Sequence, residues 1–163
     1  MPEQPARAGD RRLTLPPGTA TLISSERIFY LSGSLVENNF SRSLICPDEV
    51  RSAESKLELG IRLPWYRALP LSVVEVDEIL IDGDLVPHQN VYFEINGHEY
   101  PVDGLGNLTG EFWYVLDSAR LRIPRALNPA RSHTIALTVN LYPPYIPGLT
   151  WVTRGSLVLE AKR

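Results

Sequence analysis

Prolines and glycines interrupt this chain along its whole length. Fourteen prolines and eleven glycines are spread through 163 residues rather than pooled in a linker. Because a proline inside a helix costs about 3 kcal/mol, this distribution leaves little room for long helices. The sequence therefore predicts short strands joined by turns, in a chain of single-domain length.

Apolar residues recur at every second position, which is typical of strands with one buried face. The clearest segment is His133–Tyr142, and Leu57–Leu63 repeats the pattern. Weaker strand patterns occur at Leu22–Leu31 and Ser43–Cys46, and Asp48–Lys56 is the one segment whose pattern allows a short helix. The predicted strands are Leu57–Leu63, Val73–Ile81, Val91–Ile95, His98–Val102, Glu111–Leu116, Arg120–Ile123, His133–Tyr142 and Trp151–Ala161.

Two dipeptides between these strands indicate tight hairpin turns. Asn96-Gly97 and Asp82-Gly83 both suit turns in which the central residues take positive φ. Short strands separated by such turns predict an all-β fold, an antiparallel β-sandwich, with a partly closed barrel as the alternative. Residues 1–18 are predicted to be a mobile N-terminal segment, and residues 19–163 a single β-sandwich domain.

Composition excludes several function classes. The net charge of −3 leaves no excess of Lys and Arg for a nucleic-acid face, so no nucleic-acid partner is expected. The single cysteine, Cys46, excludes a disulfide framework and a cysteine-rich zinc site. No apolar run is long enough for a membrane span, and the polar N-terminus does not resemble a signal peptide. We therefore expect a soluble, cytoplasmic protein.

Residues for catalysis are scarce. The three histidines, His88, His98 and His133, have no partner at a recognisable metal-ligand spacing, and His133 is predicted to be a hydrogen-bonded histidine at the start of a strand. Asp82 and Asp84 are predicted to be turn residues, since they lack the further acids of a calcium loop. No nucleophile motif is present. We predict no catalytic residue, no metal ligand and no cofactor bound by this chain.

Two proline-stiffened segments suit binding instead. Trp65, Tyr66 and Arg67 stand between prolines directly after a patterned strand, and Tyr142 and Tyr145 stand in a second proline-rich connection. Stiff loops lose little entropy on binding, and Trp, Tyr and Arg dominate binding hot spots. These five residues are predicted to face a partner or a substrate pocket. The alternative is two rigid corners whose aromatic rings cap the core, and at least one of the two tyrosines is expected to be core packing.

The run Leu59–Ser72 resembles the strand-and-loop signature of the small beta subunits of bacterial C-glycoside deglycosidases. The family has an R-(I/L)-P-(Y/W)-Y-R-(G/A)-(I/L)-P-L-S stretch, which this sequence matches from Arg62 onward. A later family strand is similar to Arg131–Leu141, although Arg131-Ser132 replaces the family's Gly-Glu. The other similar segments are the strand and D-G turn at Val73–Pro87, the N-G turn at Val91–Tyr100 and the Tyr-Pro corner at Tyr142–Pro147.

The resemblance implies a β-sandwich subunit that pairs with a larger, sugar-isomerase-like (β/α)-barrel alpha subunit. That subunit would hold a divalent metal, expected to be manganese, and the acid–base residues. The substrate would be a 3-keto C-glycoside, cleaved by β-elimination at its carbon–carbon bond, which is a lyase reaction. The resemblance leaves open the aglycone, the sugar, the preference for C- or O-glycosides and the stoichiometry.

Two other functions fit the same residues. The first is a stand-alone carbohydrate-binding module, a sandwich that uses Trp65, Tyr66, Trp113 or Trp151 as a sugar platform. The second is a structural interaction domain that touches no substrate.

Overall fold

The computed structural model describes the backbone of residues 29–31 and 34–36 and the whole of residues 40–162. The predicted lead-in, residues 1–18, and most of the weak strand pattern at Leu22–Leu31 lie outside the described residues. Within the described part of the chain, no helix is long and apolar enough to cross a membrane.

Among the described residues, six antiparallel strands form the first sheet. Their order across the sheet is β2 (Ser34–Val36), β1 (Phe29–Leu31), β13 (Thr150–Leu159), β12 (His133–Leu141), β6 (Val74–Ile81) and β7 (Asp84–Leu85). The longest pairing joins β12 to β13, in register from His133 opposite Leu159 to Leu141 opposite Trp151. The strongly alternating segment at 133–142 therefore forms an interior strand of this sheet.

The second sheet has five antiparallel strands in the described part of the chain. Their order is β3 (Ile45–Ser52), β4 (Leu57–Arg62), β11 (Ser118–Ile123), β8 (Tyr92–Ile95) and β9 (His98–Pro101). A separate pair joins β5 (Leu69–Pro70) to β10 (Phe112–Trp113). The short helices are α1 (Ser41–Leu44) and two 3-10 turns, Leu71–Val73 and Val102–Asn107.

The core lies between the two sheets. Ile135, Leu137 and Val139 of β12 and Leu59 and Leu121 of the second sheet are fully buried in one hydrophobic cluster. Burial of each such side chain stabilises the fold by about 1.5 to 3 kcal/mol. Neither sheet closes on itself, so the predicted antiparallel β-sandwich is confirmed and the partly closed barrel is not formed.

Both predicted hairpin turns are present. Asp82 and Gly83 have φ angles of 55° and 85°, and Asn96 and Gly97 have φ angles of 51° and 76°. Consecutive positive φ values are those of a type I′ turn, whose twist matches that of the flanking strands. These dipeptides fix the hairpins between β6 and β7 and between β8 and β9.

The short helix allowed by the pattern of Asp48–Lys56 does not form. This segment contains the end of strand β3 and the turn into β4, closed by the Ala53 N–H donating to the Lys56 carbonyl over 2.9 Å. The pairing of β3 with β4 shifts register between Cys46 and Val50. The extra residues of this bulge break the two-residue alternation, and this irregularity conceals the strand in the sequence.

The strand predicted at Glu111–Leu116 is shorter than expected. Only Phe112 and Trp113 pair as β10, and the chain then turns, with the Asp117 N–H donating to the Tyr114 carbonyl over 3.1 Å. The buried Trp113 indole N–H also donates to the Asp117 carbonyl over 2.9 Å. The aromatic and β-branched residues of this segment favour a strand. The two hydrogen bonds made by Asp117 hold the segment in a turn instead.

His133 is a buried, hydrogen-bonded histidine at the start of β12, as predicted. Its Nδ1 lies 2.7 Å from the Asp82 carboxylate and its Nε2 lies 2.9 Å from the Asn128 carbonyl. The Thr134 backbone N–H donates to the same carboxylate over 2.9 Å. This backbone donor first, and then His133, hold the pKa of Asp82 below its usual range. The contact between His133 and Asp82 thus links the turn after β6 to the start of β12.

One end of the sandwich, here called the loop end, contains the connections of interest. Strand β4 ends there at Arg62, which is paired with Ser118 at the start of β11. Strand β12 ends there at Leu141, which is paired with Val74, the first residue of β6, and with Trp151, the second residue of β13. Both proline-stiffened segments begin at this end, since they follow β4 and β12 directly.

Candidate functional site

The first proline-stiffened segment bends sharply after β4. Pro64 and Trp65 are buried against the core, while the next two side chains, Tyr66 and Arg67, are exposed. Tyr66 leaves 59% of its surface accessible. A proline fixes its own φ and restricts the residue before it, so the segment holds this inside-to-outside change in one conformation.

The second segment is the connection between β12 and β13. Two tight turns shape it, with Ile146 N–H donating to the Pro143 carbonyl over 3.1 Å and Leu149 N–H to the Ile146 carbonyl over 3.2 Å. Gly148 has a φ of 77°, which an L side chain adopts only with strain. These turns lead the chain back to β13 and leave the Tyr145 ring at the surface.

The two segments meet through side chains. The buried Trp65 indole N–H donates to the Tyr145 hydroxyl, and the Arg67 guanidinium lies over the Tyr145 ring with its Cζ 5.1 Å from the ring centroid. The Tyr66 ring lies 4.9 Å from the Trp65 ring, centroid to centroid. We call Trp65, Tyr66, Arg67 and Tyr145 the aromatic cluster. The Trp65 ring also packs edge-on against the Trp151 ring, with 4.8 Å between the ring centroids.

The aromatic cluster carries one positive charge at physiological pH. Loss of surrounding water raises the pKa of Tyr145, and this effect together with the neighbouring Tyr66 hydroxyl outweighs the lowering by the Trp65 hydrogen bond. The phenol is therefore neutral at physiological pH, and the charge is that of the Arg67 guanidinium. A cation over an aromatic face gains about 0.5 to 1 kcal/mol at an exposed site. This surface offers apolar rings and one cation to whatever covers it.

Tyr142 belongs to a different group of residues. Its hydroxyl donates to the Glu75 carboxylate, which also accepts a hydrogen bond from Asn140 over 3.3 Å. The carboxylate favours the protonated phenol and raises the pKa of Tyr142 to about 12. Tyr142 lines a shallow cavity of about 290 Å³ with His88 and Asp103, whose Nδ1 and Oδ1 atoms are 3.0 Å apart.

The structure thus brings together four of the five predicted partner-facing residues and places Tyr142 beside Glu75. Trp65 is buried, so it positions its neighbours rather than presenting its own ring. Tyr142 and Tyr145 are each 42% exposed, and the expectation that one of them is core packing is wrong. Pro143 follows Tyr142 and Pro144 precedes Tyr145, so both rings stand on the stiffened connection between β12 and β13.

Two of the four residues named as possible sugar platforms have no accessible ring face. Trp65 and Trp113 are both buried, and Trp113 lies edge-on to Phe93 with a centroid distance of 5.2 Å. A sugar stacks on an aromatic face only where that face is accessible. The indoles of these two residues therefore act in packing.

Sequence reasoning missed one exposed apolar segment at the loop end. Phe112, Tyr114, Val115 and Leu116 all have exposed side chains. The sequence predicts a strand at Glu111–Leu116, and a strand would bury the side chains on one of its two faces. The signal in the sequence is that five consecutive apolar residues, from Phe112 to Leu116, break the alternation just before the polar pair Asp117-Ser118.

A larger groove of about 660 Å³ lies at the opposite end of the sandwich. Its walls include Val50 and Leu127, with the basic side chains of Arg51, Arg131 and Lys162. Among residues 40–162, no group of three or more His, Cys, Asp or Glu side chains is placed to hold a metal ion.

The fold and the loop end define a class: a β-sandwich with an exposed cluster of aromatic side chains at one end. A sequence model of the C-glycoside deglycosidase beta subunit family matches residues 40–145, which include the aromatic cluster and the missed segment. The chain belongs to this family. The resemblance seen in the Leu59–Ser72 run is thereby confirmed.

Individual relatives agree with this assignment. The chain is 33% identical over 108 residues to a 3'-dehydrocarminate deglycosidase beta subunit of Microbacterium sp., covering 66% of this chain and 82% of the relative. It is 35% identical over 97 residues to a C-glycoside deglycosidase beta subunit of Microbacterium trichothecenolyticum, covering 60% and 74%. A C-glycoside deglycosidase beta subunit of Arthrobacter globiformis is 30% identical over 95 residues, covering 57% and 72%. The chain is thus similar to beta subunits of deglycosidases, and the name of a beta subunit implies a partner alpha subunit.

Proposed function

We propose that this chain is the accessory beta subunit of a heteromeric C-glycoside deglycosidase and that its aromatic cluster docks on the alpha subunit beside the active site. The observation that supports this role is the convergence of Tyr66, Arg67 and Tyr145 on the buried Trp65. Exposed rings with fixed positions lose little entropy when a partner covers them. The cluster lies inside the region that the family model matches.

The reaction in this proposal is a β-elimination from a 3-keto C-glycoside. A sugar–aryl carbon–carbon bond has no bridging oxygen to protonate, so acid hydrolysis is not available. A ketone at C3 acidifies the proton at C2. After that proton is removed, the C1–C2 double bond forms as the C1–aryl bond breaks, and the ring carbon of the aglycone takes up a proton, which makes the enzyme a lyase. The proton transfers and a divalent metal, expected to be manganese, belong to a sugar-isomerase-like barrel, the alpha subunit.

The contribution of this chain is shape and exclusion of water. Tyr66 and Tyr145 supply apolar ring surface against which an aromatic aglycone can pack, and Arg67 supplies a fixed cation at the same surface. Closing a site against water strengthens electrostatic interactions inside it. The aromatic cluster therefore raises the activity of the alpha subunit without transferring a proton.

A reconstitution assay tests the proposal. Cleavage of a 3-keto C-glycoside is measured with manganese present for this chain alone, for the alpha subunit encoded in the same genome alone, and for the two together. We expect turnover only from the mixture. Turnover by this chain alone, or full turnover by the alpha subunit alone, would overturn the accessory role.

Substitutions in the aromatic cluster test its part in that role. Tyr66→Ala and Arg67→Ala should each reduce the turnover of the reconstituted enzyme at least tenfold, even when this chain is in large excess. Leu85→Ala is the matched control, because Leu85 is an exposed apolar residue on β7, at the far end of β6 from the loop end. Unchanged turnover in both cluster variants would remove the cluster from the function.

A further inference from the structure

The loop end has a second exposed apolar surface, the turn between β10 and β11. Phe112, Tyr114, Val115 and Leu116 line it, and Leu116 leaves 85% of its surface accessible. The Phe112 and Tyr114 rings lie 6.4 Å apart, centroid to centroid, on the same side of the chain. We call these four residues the apolar turn. Contiguous exposed apolar residues of this kind mark interaction sites on folded proteins.

Three contacts hold the backbone of the apolar turn in place. The Trp113 indole N–H donates to the Asp117 carbonyl over 2.9 Å, while the Trp113 ring is buried against Phe93. The Asn96 side-chain amide, in the neighbouring hairpin, donates to the Phe112 carbonyl over 3.0 Å. The exposed side chains therefore stand on a fixed base, and little backbone entropy remains to be lost on binding.

The apolar turn is continuous with the aromatic cluster. Trp113 of β10 is paired with Leu69 of β5, and β5 follows Arg67 after one residue. Tyr114 and Ala68 are the next residues beyond that pair. Neighbouring strands are about 5 Å apart, so one partner surface can cover both sets of side chains.

We propose that the apolar turn is a second docking element for the alpha subunit, with Leu116 as its anchor in an apolar recess of that subunit. The proposal rests on the proposed function for the identity of the partner. Its basis is the preformed apolar surface and its continuity with the aromatic cluster. The two elements differ in role: the aromatic cluster supports turnover, and the apolar turn supplies affinity.

The test separates affinity from turnover. Leu116→Asp places a charge in the proposed recess, while Leu116→Met keeps an apolar side chain of similar volume. Leu85→Asp is the matched control, since Leu85 is 63% exposed and lies far from the loop end. Affinity for the alpha subunit is measured by titration calorimetry, turnover is measured at saturating concentrations of this chain, and thermal unfolding confirms that each variant is folded.

We expect Leu116→Asp to weaken the complex at least tenfold, with turnover at saturation within twofold of the unsubstituted chain. Leu116→Met and Leu85→Asp should bind as the unsubstituted chain does. If the unsubstituted chain binds the alpha subunit and Leu116→Asp binds equally well, the inference is wrong while the proposed function stands. If Leu116→Asp instead abolishes self-association of this chain in sedimentation and leaves binding to the alpha subunit intact, the apolar turn is an interface between two copies and the inference is also wrong. Absence of any complex with the unsubstituted chain would overturn the proposed function itself.

Discussion

The indole N–H of Trp65 donates a hydrogen bond to the hydroxyl of Tyr145, which lies 80 residues further along the chain. The bond joins the loop after β4 in the second sheet to the connection after β12 in the first. It fixes the position of Tyr145, and the Arg67 guanidinium then lies over the fixed ring. The surface offered to a partner thus depends on a contact between the two layers of the sandwich.

Removing the acceptor of this bond should destabilise the protein. Tyr145→Phe leaves the buried Trp65 N–H without a partner, and an unsatisfied buried donor costs about 1 to 3 kcal/mol in the free energy of unfolding. Urea denaturation followed by tryptophan fluorescence measures this change.

Tyr114→Phe is the matched control for that experiment. It removes the hydroxyl of another exposed tyrosine, and that hydroxyl makes no hydrogen bond that is seen among the described residues. A change smaller than about 0.5 kcal/mol is expected there. Equal changes in the two variants would show that the Trp65–Tyr145 bond does not stabilise the fold.

The turn between β8 and β9 requires a glycine. Gly97 has a φ of 76°, and a methyl group there would contact nothing within 4 Å, so the cost of Gly97→Ala arises from the backbone alone. We expect a loss of about 1 kcal/mol in the free energy of unfolding, measured by thermal denaturation. Gly106→Ala is the control, because Gly106 has equal space and no positive φ. Comparable losses in both variants would contradict the assignment of the cost to φ.

The Asp82 carboxylate should make stability depend on acid pH. Its pKa is lowered in the folded protein by the Thr134 N–H and His133, so the charged form stabilises the fold. That stabilisation is fully present above the ordinary pKa of about 3.9 and is lost as the pH falls through the lower folded value. Asp82→Asn tolerates the positive φ at this position and removes the charge together with one of the two accepting oxygens.

The measurement is the difference in unfolding free energy between the unsubstituted chain and Asp82→Asn from pH 7 to pH 2. We expect about 1 to 3 kcal/mol at neutral pH, decreasing below about pH 4. A difference that stays constant over this range would contradict the role of the charge.

Tyr142 should titrate far above the usual range of tyrosine. Its pKa is raised to about 12 because its hydroxyl donates to the Glu75 carboxylate. Glu75→Gln removes the charge and should lower the pKa toward about 10, as followed by the chemical shift of the Tyr142 ¹³Cζ atom. Glu78→Gln is the control, because Glu78 is on the same strand and pairs with Arg154. A shift as large in Glu78→Gln would show a general effect of charge on this face.

Most strands could be predicted because one face of each is buried. The alternation at 57–63 and 133–142 records which side chains enter the core, and the observed β4 and β12 end within one residue of those predictions. Strand β3 could not be predicted in the same way, since its register shifts between Cys46 and Val50. A bulge changes which residues share a face, and only the partner strand defines where that change occurs.

The candidate site was predicted in its residue types but not in its arrangement. The dense aromatic and proline composition at 64–70 and 142–147 indicated two rigid binding loops. The burial of Trp65, the separation of Tyr142 from the cluster and the exposure of Leu116 followed from long-range packing. None of these three properties depends on the local sequence alone.

The sequence alone determined the all-β class, the two type I′ turns and the family, because alternation, turn dipeptides and motif residues are local properties. Tertiary structure decided which rings face outward and which residues form one surface. The physical reason is that Trp65 and Tyr145 come into contact only when the two sheets pack, and the burial of each ring is set by neighbours that are distant in the chain.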